Sequence, residues 1–333
     1  MVPQYWSLGL RLQTDIPLRL PAKKAASTCT GTLQIRHDPD CLRPPIPDAA
    51  LTVPPAFDGA PAILWRPHST HVATLDFQRG DDLLRFVLDR SQGRIRYAAN
   101  GILDDATIAT FIEGVVLGCY LRLQGDNLLH GAALSWNARH FALCGPSAAG
   151  KSTLAEMCVQ HGATPWSEDI LRQHPDSTHF FGDARQRRLS SESTHHLAGK
   201  NMLGENTRQI FEESDKQFFA AGLTAQEAPQ TARALDTIVL LGPRHRGDTL
   251  HHHRLQGAEA IAALMQMQFP SWLRLPMFQQ QVFHFASQQV AHTHVMLLQL
   301  PDGLQHIEKA AKDLLSLLDA ASTPTRDEPD PLP

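Results

Sequence analysis

Residues 140–157 read HFALCGPSAAGKSTLAEM, and this stretch decides the fold that the sequence predicts. A short apolar run at 141–144 stops at Gly145, and apolar residues resume at helical spacing after Lys151. Between these points, residues 145–152 match the pattern GxxxxGK[ST], which between a strand and a helix is typical of a phosphate-binding loop (P-loop). The stretch therefore predicts a strand, a glycine-rich loop and the N-terminus of a helix, in that order.

Each residue type in the loop suits nucleotide binding. Glycines let the backbone turn tightly enough for successive N–H groups to face a phosphate chain, and the helix N-terminus adds its dipole. We expect an exposed Lys151 side chain to reach the β- and γ-phosphates of ATP, and the Ser152 hydroxyl to ligate Mg²⁺. The predicted nucleotide-contacting residues are Gly145, Pro146, Ser147, Ala148, Ala149, Gly150, Lys151, Ser152 and Thr153.

The segments on either side of the loop extend the prediction. Residues 127–136 and 140–145 predict a hairpin that turns at 137–139, and Gly162 closes the helix that follows the loop. Glu168 and Asp169 then stand at the start of another short strand. Carboxylates there could hold Mg²⁺ and accept a proton from an incoming hydroxyl. The alternative, that the two acids only cap a turn, stays open.

The rest of the chain predicts an α/β fold in two parts. Residues 1–103 favour a β-rich N-terminal domain with a Pro- and Ala-rich loop. Residues 104–320 predict a nucleotide-binding domain that begins with a helix running from Asp104 to about Leu123 and ending at Gly125. Residues 321–333 predict a disordered tail.

The composition argues against some classes of binding partner. The chain has 333 residues, 34 acidic and 30 basic side chains and a net charge of -4, with no basic block typical of nucleic-acid binding. Apolar runs such as 238–241 are too short to cross a membrane, and the N-terminus lacks a secretion signal pattern. The 5 scattered cysteines form no disulfide framework. We therefore expect a cytoplasmic protein with no nucleic-acid or membrane partner.

Residues 128–173, LLHGAALSWNARHFALCGPSAAGKSTLAEMCVQHGATPWSEDILRQ, resemble the core of the HPr kinase/phosphorylase family. That core has a His-Gly on its first strand, a strand into the P-loop, and an acidic pair at the next strand. The whole chain is similar to HPr-kinase-related proteins encoded beside peptide-modification genes, including lasso peptide kinases. Those proteins also begin with a strand echoed here by YWSLGLRLQTDIPL, residues 5–18.

The resemblance implies a P-loop domain like the HPr kinase C-terminal domain, and an ATP- and Mg²⁺-dependent kinase that phosphorylates a Ser hydroxyl on a peptide or small protein. It places His130 beside the transferred phosphate and makes Glu168 and Asp169 the base and metal carboxylates, with Lys151 binding phosphate. Departures are Glu168 where the family usually has Asp, Thr153 where true HPr kinases have an acid, and no second signature of the bifunctional enzymes. The resemblance also implies that Arg187 or Arg188 contacts phosphate or substrate. The alternative, that both lie on a solvated strand edge, stays open.

Two other functions stay open on sequence alone. A small-molecule kinase would use the same loop, although no Arg-rich lid segment is evident. A non-catalytic nucleotide-dependent interaction module would keep Lys151 without needing both carboxylates. A homo-oligomer is also left open.

Overall fold

The fold is taken from a computed structural model, which describes residues 2–20, 29–43, 51–55, 60–101, 103–183, 187–198, 206–208, 216–219 and 231–320. The predicted tail at 321–333 and the side chains of Arg187 and Arg188 lie outside this description.

Alternation of apolar and polar residues builds a first sheet near the N-terminus. Its strands are β1 (Gln4–Ser7), β2 (Leu10–Thr14), β3 (Gly31–His37), β4 (Leu51–Val53), β5 (Ala62–Pro67), β6 (Val72–Arg79), β7 (Asp82–Asp89) and β8 (Arg94–Asn100). They lie in the order β1-β2-β3-β8-β7-β6-β5-β4. On β7, for example, Leu84, Phe86 and Leu88 share one face and are buried. The expectation of β structure in this region is confirmed.

The helix predicted after residue 104 is present and covers this sheet. It comprises α1 (Asp105–Phe111), a π-helical turn at Ile112–Val116 and α2 (Leu117–Gln124). The Asp104 side chain accepts the N–H of Thr107 at 2.8 Å, and Gly125 ends α2 with φ +95°. Phe111 packs on Phe77 of β6 with ring centroids 4.2 Å apart. The helix thus shares a hydrophobic cluster with the first sheet, while the domain boundary at 103/104 stays a prediction.

The same helix corrects one expectation. Counted across the π-helical turn, Asp105–Gln124 is long and apolar enough to cross a membrane by length and composition, and the expectation based on short runs such as 238–241 did not include this helix. However, 78% of that window is buried inside the protein. A helix buried to this extent is typical of a protein core, so it is only weak evidence for a membrane span.

A second sheet carries the glycine-rich loop. The remaining elements are β9 (Leu128–Trp136), β10 (Arg139–Cys144), α3 (Lys151–Gln160), β11 (Thr164–Ser167), β12 (Ile170–Gln173), β13 (Phe180–Gly182), β14 (Arg187–Ser190), α4 (Ser191–Ala198), β15 (Asn206–Arg208), β16 (Lys216–Phe219), β17 (Thr237–Leu241), β18 (His251–Leu255), α5 (Gly257–Gln266), α6 (Gln279–His292), β19 (His294–Gln299) and α7 (Ile307–Ala320). The sheet order is β13-β12-β9-β10-β17-β19-β18, with β11 also paired to β9. Strands β14, β16 and β15 form a small separate sheet.

Helices cover both faces of the second sheet, as its strand sequences require. Along β10, Phe141 and Leu143 join the cluster that contains α3 and α7, whereas Ala142 and Cys144 join the cluster that contains α5 and α6. Strands buried on both faces read as continuous apolar runs, which is why β10 and β17 lack polar alternation. The chain is therefore a mixed α/β protein with two large sheets and several helices.

The hairpin β9–β10 is confirmed where it was predicted. Asn137 and Ala138 turn the chain with φ values of +45° and +63°. In the resulting register Gly131 of β9 lies opposite Cys144, the last residue of β10. A Cβ on Gly131 would stand 2.7 Å from the Cys144 Sγ and 2.8 Å from the Leu143 carbonyl oxygen.

We expect Gly131→Ala to lower the free energy of unfolding by about 1–3 kcal/mol, because the Leu143 carbonyl belongs to the backbone of β10 and cannot move without shifting that strand. Gly31→Ala is the matched control, since its Cβ would only meet the Leu10 Cδ2 at 3.6 Å. Urea denaturation of both variants checks this prediction. Equal stability of the two variants would contradict the tight approach of β9 to β10.

Candidate functional site

Three neighbouring parallel strands end at one edge of the second sheet. Strand β17 is parallel to both β10 and β19, and Leu240 of β17 lies level with Cys144. Three loops therefore meet at this edge: the glycine-rich loop (residues 145–150), the β17 loop (residues 242–245) and the segment after β19 (residues 300–302). Ligands of open α/β sheets bind at the carboxyl ends of the parallel strands.

The glycine-rich loop turns through backbone conformations that most residues avoid. Gly150 has φ +98° and stands directly before α3, and Ala148 has φ +65° although it carries a Cβ. A non-glycine residue in this region costs about 1 kcal/mol or more. Gly145 is buried, whereas Pro146, Ser147 and Ala148 are exposed. Three consecutive residues of the loop are thus exposed shortly before the start of a helix.

Lys151 differs from its predicted exposure. Its side chain is only 8% exposed, because the Nζ donates to the carbonyl oxygens of Gly145 at 2.9 Å and Pro146 at 3.0 Å. The ammonium group is therefore folded against the loop that carries it. A ligand that binds this ammonium would have to replace bonds to the loop carbonyls.

Ser152 and Thr153 face different surroundings. Ser152 is half-buried, and within the described part of the chain its hydroxyl makes no hydrogen bond. Thr153 is buried, and its hydroxyl lies 2.8 Å from the Ser193 hydroxyl of α4. Ser152 can offer an oxygen to a ligand, whereas the Thr153 hydroxyl connects two helices.

The acidic pair lies level with the start of the glycine-rich loop. β11 and β12 both pair with β9, and the break between them, at Glu168 and Asp169, faces Gly131. The Gly131 N–H donates to the Asp169 carbonyl oxygen at 3.0 Å. Since Gly131 also lies opposite Cys144, the backbones of Asp169 and Cys144 are separated by two strand spacings, about 10 Å. Both acidic residues are half-buried.

His130 contacts Asp169 directly. Its Nε2 lies 2.9 Å from the Asp169 Oδ1, so a proton on Nε2 donates to the carboxylate. The Phe269 ring packs edge-on against the imidazole with centroids 5.4 Å apart. The backbone of His130 is held as well, because its N–H donates to the Met267 carbonyl oxygen at 2.8 Å. The position of His130 beside a transferred phosphate, which the family resemblance implies, stays a prediction.

Sequence reasoning missed Asp183. This residue is 1% exposed, and its carboxylate accepts the N–H groups of Glu168 at 2.6 Å, Asp169 at 3.3 Å and Ile170 at 3.2 Å. The Ser167 hydroxyl lies 2.8 Å from the same carboxylate. Asp183 thus fixes the backbone that presents the acidic pair. The only local signal was its place after an apolar strand, which does not reveal the turn it satisfies.

The side chains of Ser152, Glu168 and Asp169 offer oxygen atoms of the kind that Mg²⁺ takes as ligands. Mg²⁺ usually takes one or two carboxylates together with phosphate oxygens and waters, rather than a cage built only by protein. Ser152, Glu168 and Asp169 supply such oxygens. Among the described residues, no three His, Cys, Asp or Glu side chains cluster as metal ligands.

The sequence was compared with protein family models and with curated proteins. No protein family model matches the chain, and no curated protein matches it.

We expect Asp183→Asn to loosen the turn at residues 167–170, because one acceptor oxygen becomes an NH₂ group that faces backbone donors. The free energy of unfolding should fall by about 1–3 kcal/mol, and the amides of residues 168–170 should exchange hydrogen faster.

Asp176→Asn, an exposed acid on the β12–β13 turn, is the control and should change stability by less than about 0.5 kcal/mol. Urea denaturation and amide hydrogen exchange measure both effects. Unchanged exchange at 168–170 in Asp183→Asn would show that the turn does not depend on this carboxylate.

Proposed function

We propose that the protein is an ATP- and Mg²⁺-dependent serine kinase with a P-loop domain like that of HPr kinase. The main support is the position of Asp169, joined through Gly131 to the strand that ends in a GxxxxGK[ST] loop. This arrangement puts the backbone of Asp169 about 10 Å from that of Cys144, the last residue before the phosphate-binding loop, and we place the γ-phosphate and the acceptor hydroxyl between the two. A lone P-loop sequence would support nucleotide binding only.

Four residue groups carry the proposed chemistry. The amides of the glycine-rich loop and the Lys151 ammonium bind the phosphates after Lys151 leaves its loop carbonyls. Asp169 accepts the proton of the acceptor hydroxyl, and His130 orients that carboxylate through the 2.9 Å contact. Glu168, with Ser152, would hold the metal. When bound, Mg²⁺ would neutralise charge on the β- and γ-phosphates.

The reaction balances with these groups alone. The acceptor oxygen forms a bond to the γ-phosphorus, the bond from that phosphorus to the β-phosphate bridging oxygen breaks, and ADP leaves. The proton of the hydroxyl goes to the Asp169 carboxylate. Because transfer of this kind depends on positioning and charge, small displacements of Asp169 should be costly.

The acceptor class rests on the resemblance to peptide-modification kinases. We propose a Ser hydroxyl on a peptide or small protein, in the cytoplasm. Leu8 connects the first sheet directly to the acidic edge, because its N–H donates to the Gly182 carbonyl oxygen at 3.2 Å and its carbonyl accepts from Arg172 at 3.1 Å. The first sheet is therefore near enough to help present an acceptor.

The first test is incubation of the purified protein with γ-labelled ATP, Mg²⁺ and a cell extract. We expect label on a polypeptide, loss of labelling in excess chelator, and recovery with added Mg²⁺. Lys151→Met should abolish labelling, since it removes the ammonium but keeps an apolar chain of similar length. A thermal melt checks that this variant folds, because Lys151 is buried. Label on a small metabolite would instead support a small-molecule kinase, and no label a non-catalytic module.

The second test separates binding from chemistry at the acidic pair. Asp169→Asn and Glu168→Gln keep size and remove one negative charge each, and loss of a positioned base costs about 10²–10⁴-fold in rate. Metal-free ATP affinity should hold or rise slightly, because a carboxylate near triphosphate repels it. Single-turnover phosphorylation and metal-free binding measure the two effects. Near wild-type transfer in both variants would mean that the pair is only a turn cap.

A further inference from the structure

Arg244 of the β17 loop lies against the glycine-rich loop, on the side away from the acidic pair. A Cβ built on Gly150 would stand 2.7 Å from the Arg244 Nη2 and 3.8 Å from its Cζ. β17 and β9 flank β10 on opposite sides. The loop is thus bordered by carboxylates on its β9 side and by a guanidinium on its β17 side.

Backbone hydrogen bonds hold Arg244 in this position. The Gly242 N–H donates to the Leu298 carbonyl oxygen at 2.9 Å, and the His245 N–H donates to the Leu300 carbonyl oxygen at 3.1 Å. These bonds continue the pairing of β17 with β19 beyond the strands. The β17 loop is therefore an extension of the sheet on both sides of Arg244, so its backbone position is well defined.

The side chain keeps most of its donors for a ligand. Its Nη1 donates to the Pro301 carbonyl oxygen at 3.1 Å, which fixes the guanidinium plane. A guanidinium has five N–H groups. Across the residues that the structure describes, no carboxylate pairs with Arg244, which is half-buried. A half-buried cation without a carboxylate, beside an exposed glycine-rich loop at a helix N-terminus, is suited to an anion.

We propose that Arg244 contacts the polyphosphate chain of the bound nucleotide beside Gly150, supplying positive charge from the β17 side while the metal and acidic pair act from the β9 side. This inference rests on the proposed function, and it gives Gly150 a second role besides its positive φ. Any side chain at position 150 would displace the guanidinium. The residue discriminates by phosphate charge, and so it favours tri- and diphosphates over nucleosides.

The test is calorimetric titration of Mg²⁺-free ATP and of inorganic tripolyphosphate into wild type, Arg244→Ala, Arg244→Lys and Arg246→Ala. We expect Arg244→Ala to weaken binding of both probes by roughly ten- to a hundred-fold, the effect of one charged hydrogen-bond contact. Arg244→Lys should lose less, because it keeps the charge. Arg246, exposed and two residues away, should change affinity by less than about two-fold.

Raising the salt concentration should weaken ATP binding less in Arg244→Ala than in wild type, because one ionic contact is missing. A structural defect alone would lower the melting temperature without changing this salt dependence. If Arg244→Ala binds both probes like wild type, or if Arg246→Ala loses as much, the inference is wrong. If Arg244→Ala fails to fold, the loss of affinity in Arg244→Lys decides the question, and wild-type affinity in that variant would contradict the inference. Failure of wild type to bind either probe would instead defeat the proposed nucleotide function.

Discussion

The absence of a side chain at Gly131 lets β9 lie close against the last residue of β10, and the site depends on that approach. The Gly131 N–H donates to the Asp169 carbonyl oxygen on one side, and Gly131 pairs with Cys144 of β10 on the other side. The two halves of the proposed chemistry are therefore fixed by backbone geometry rather than by flexible side chains. Positioning of this kind survives changes elsewhere on the surface.

Charged and polar side chains at this edge fix the positions of the proposed site residues. The Asp183 carboxylate accepts backbone N–H groups of the acidic turn, and the His130 imidazole contacts the Asp169 carboxylate. Lys151 is bonded to the Gly145 and Pro146 carbonyls, so the ammonium already has partners before a ligand arrives. Binding then exchanges one set of bonds for another, and only a ligand with several well-placed oxygens makes that exchange favourable.

Local sequence patterns predicted individual helices, strands and caps, but they did not predict contacts between residues far apart in the sequence. Local residues alone determine three of the predicted features, so sequence patterns were sufficient to predict them. These features are the β9–β10 hairpin, helix α3 with Gly162 after its last turn, and the Asp104 cap. The burial of Lys151 depends on how the loop closes over it. The contact between Arg244 and Gly150 joins residues far apart in the chain. No periodicity or motif encodes contacts of these two kinds, and the resemblance to a known family is specific only at residues 128–173, which do not include Arg244.

The helical span at 105–124 links the two large sheets in a way that matters for handling the protein. It is mostly apolar and mostly buried, and it shares one hydrophobic cluster with the first sheet and with Leu128, Ile170 and Leu273. A fragment that starts after residue 103 would carry this helix stripped of its cover. Such a fragment would present a membrane-like surface to water and would aggregate or adhere to lipid. The part of the chain that carries the glycine-rich loop is thus best prepared together with the N-terminal sheet.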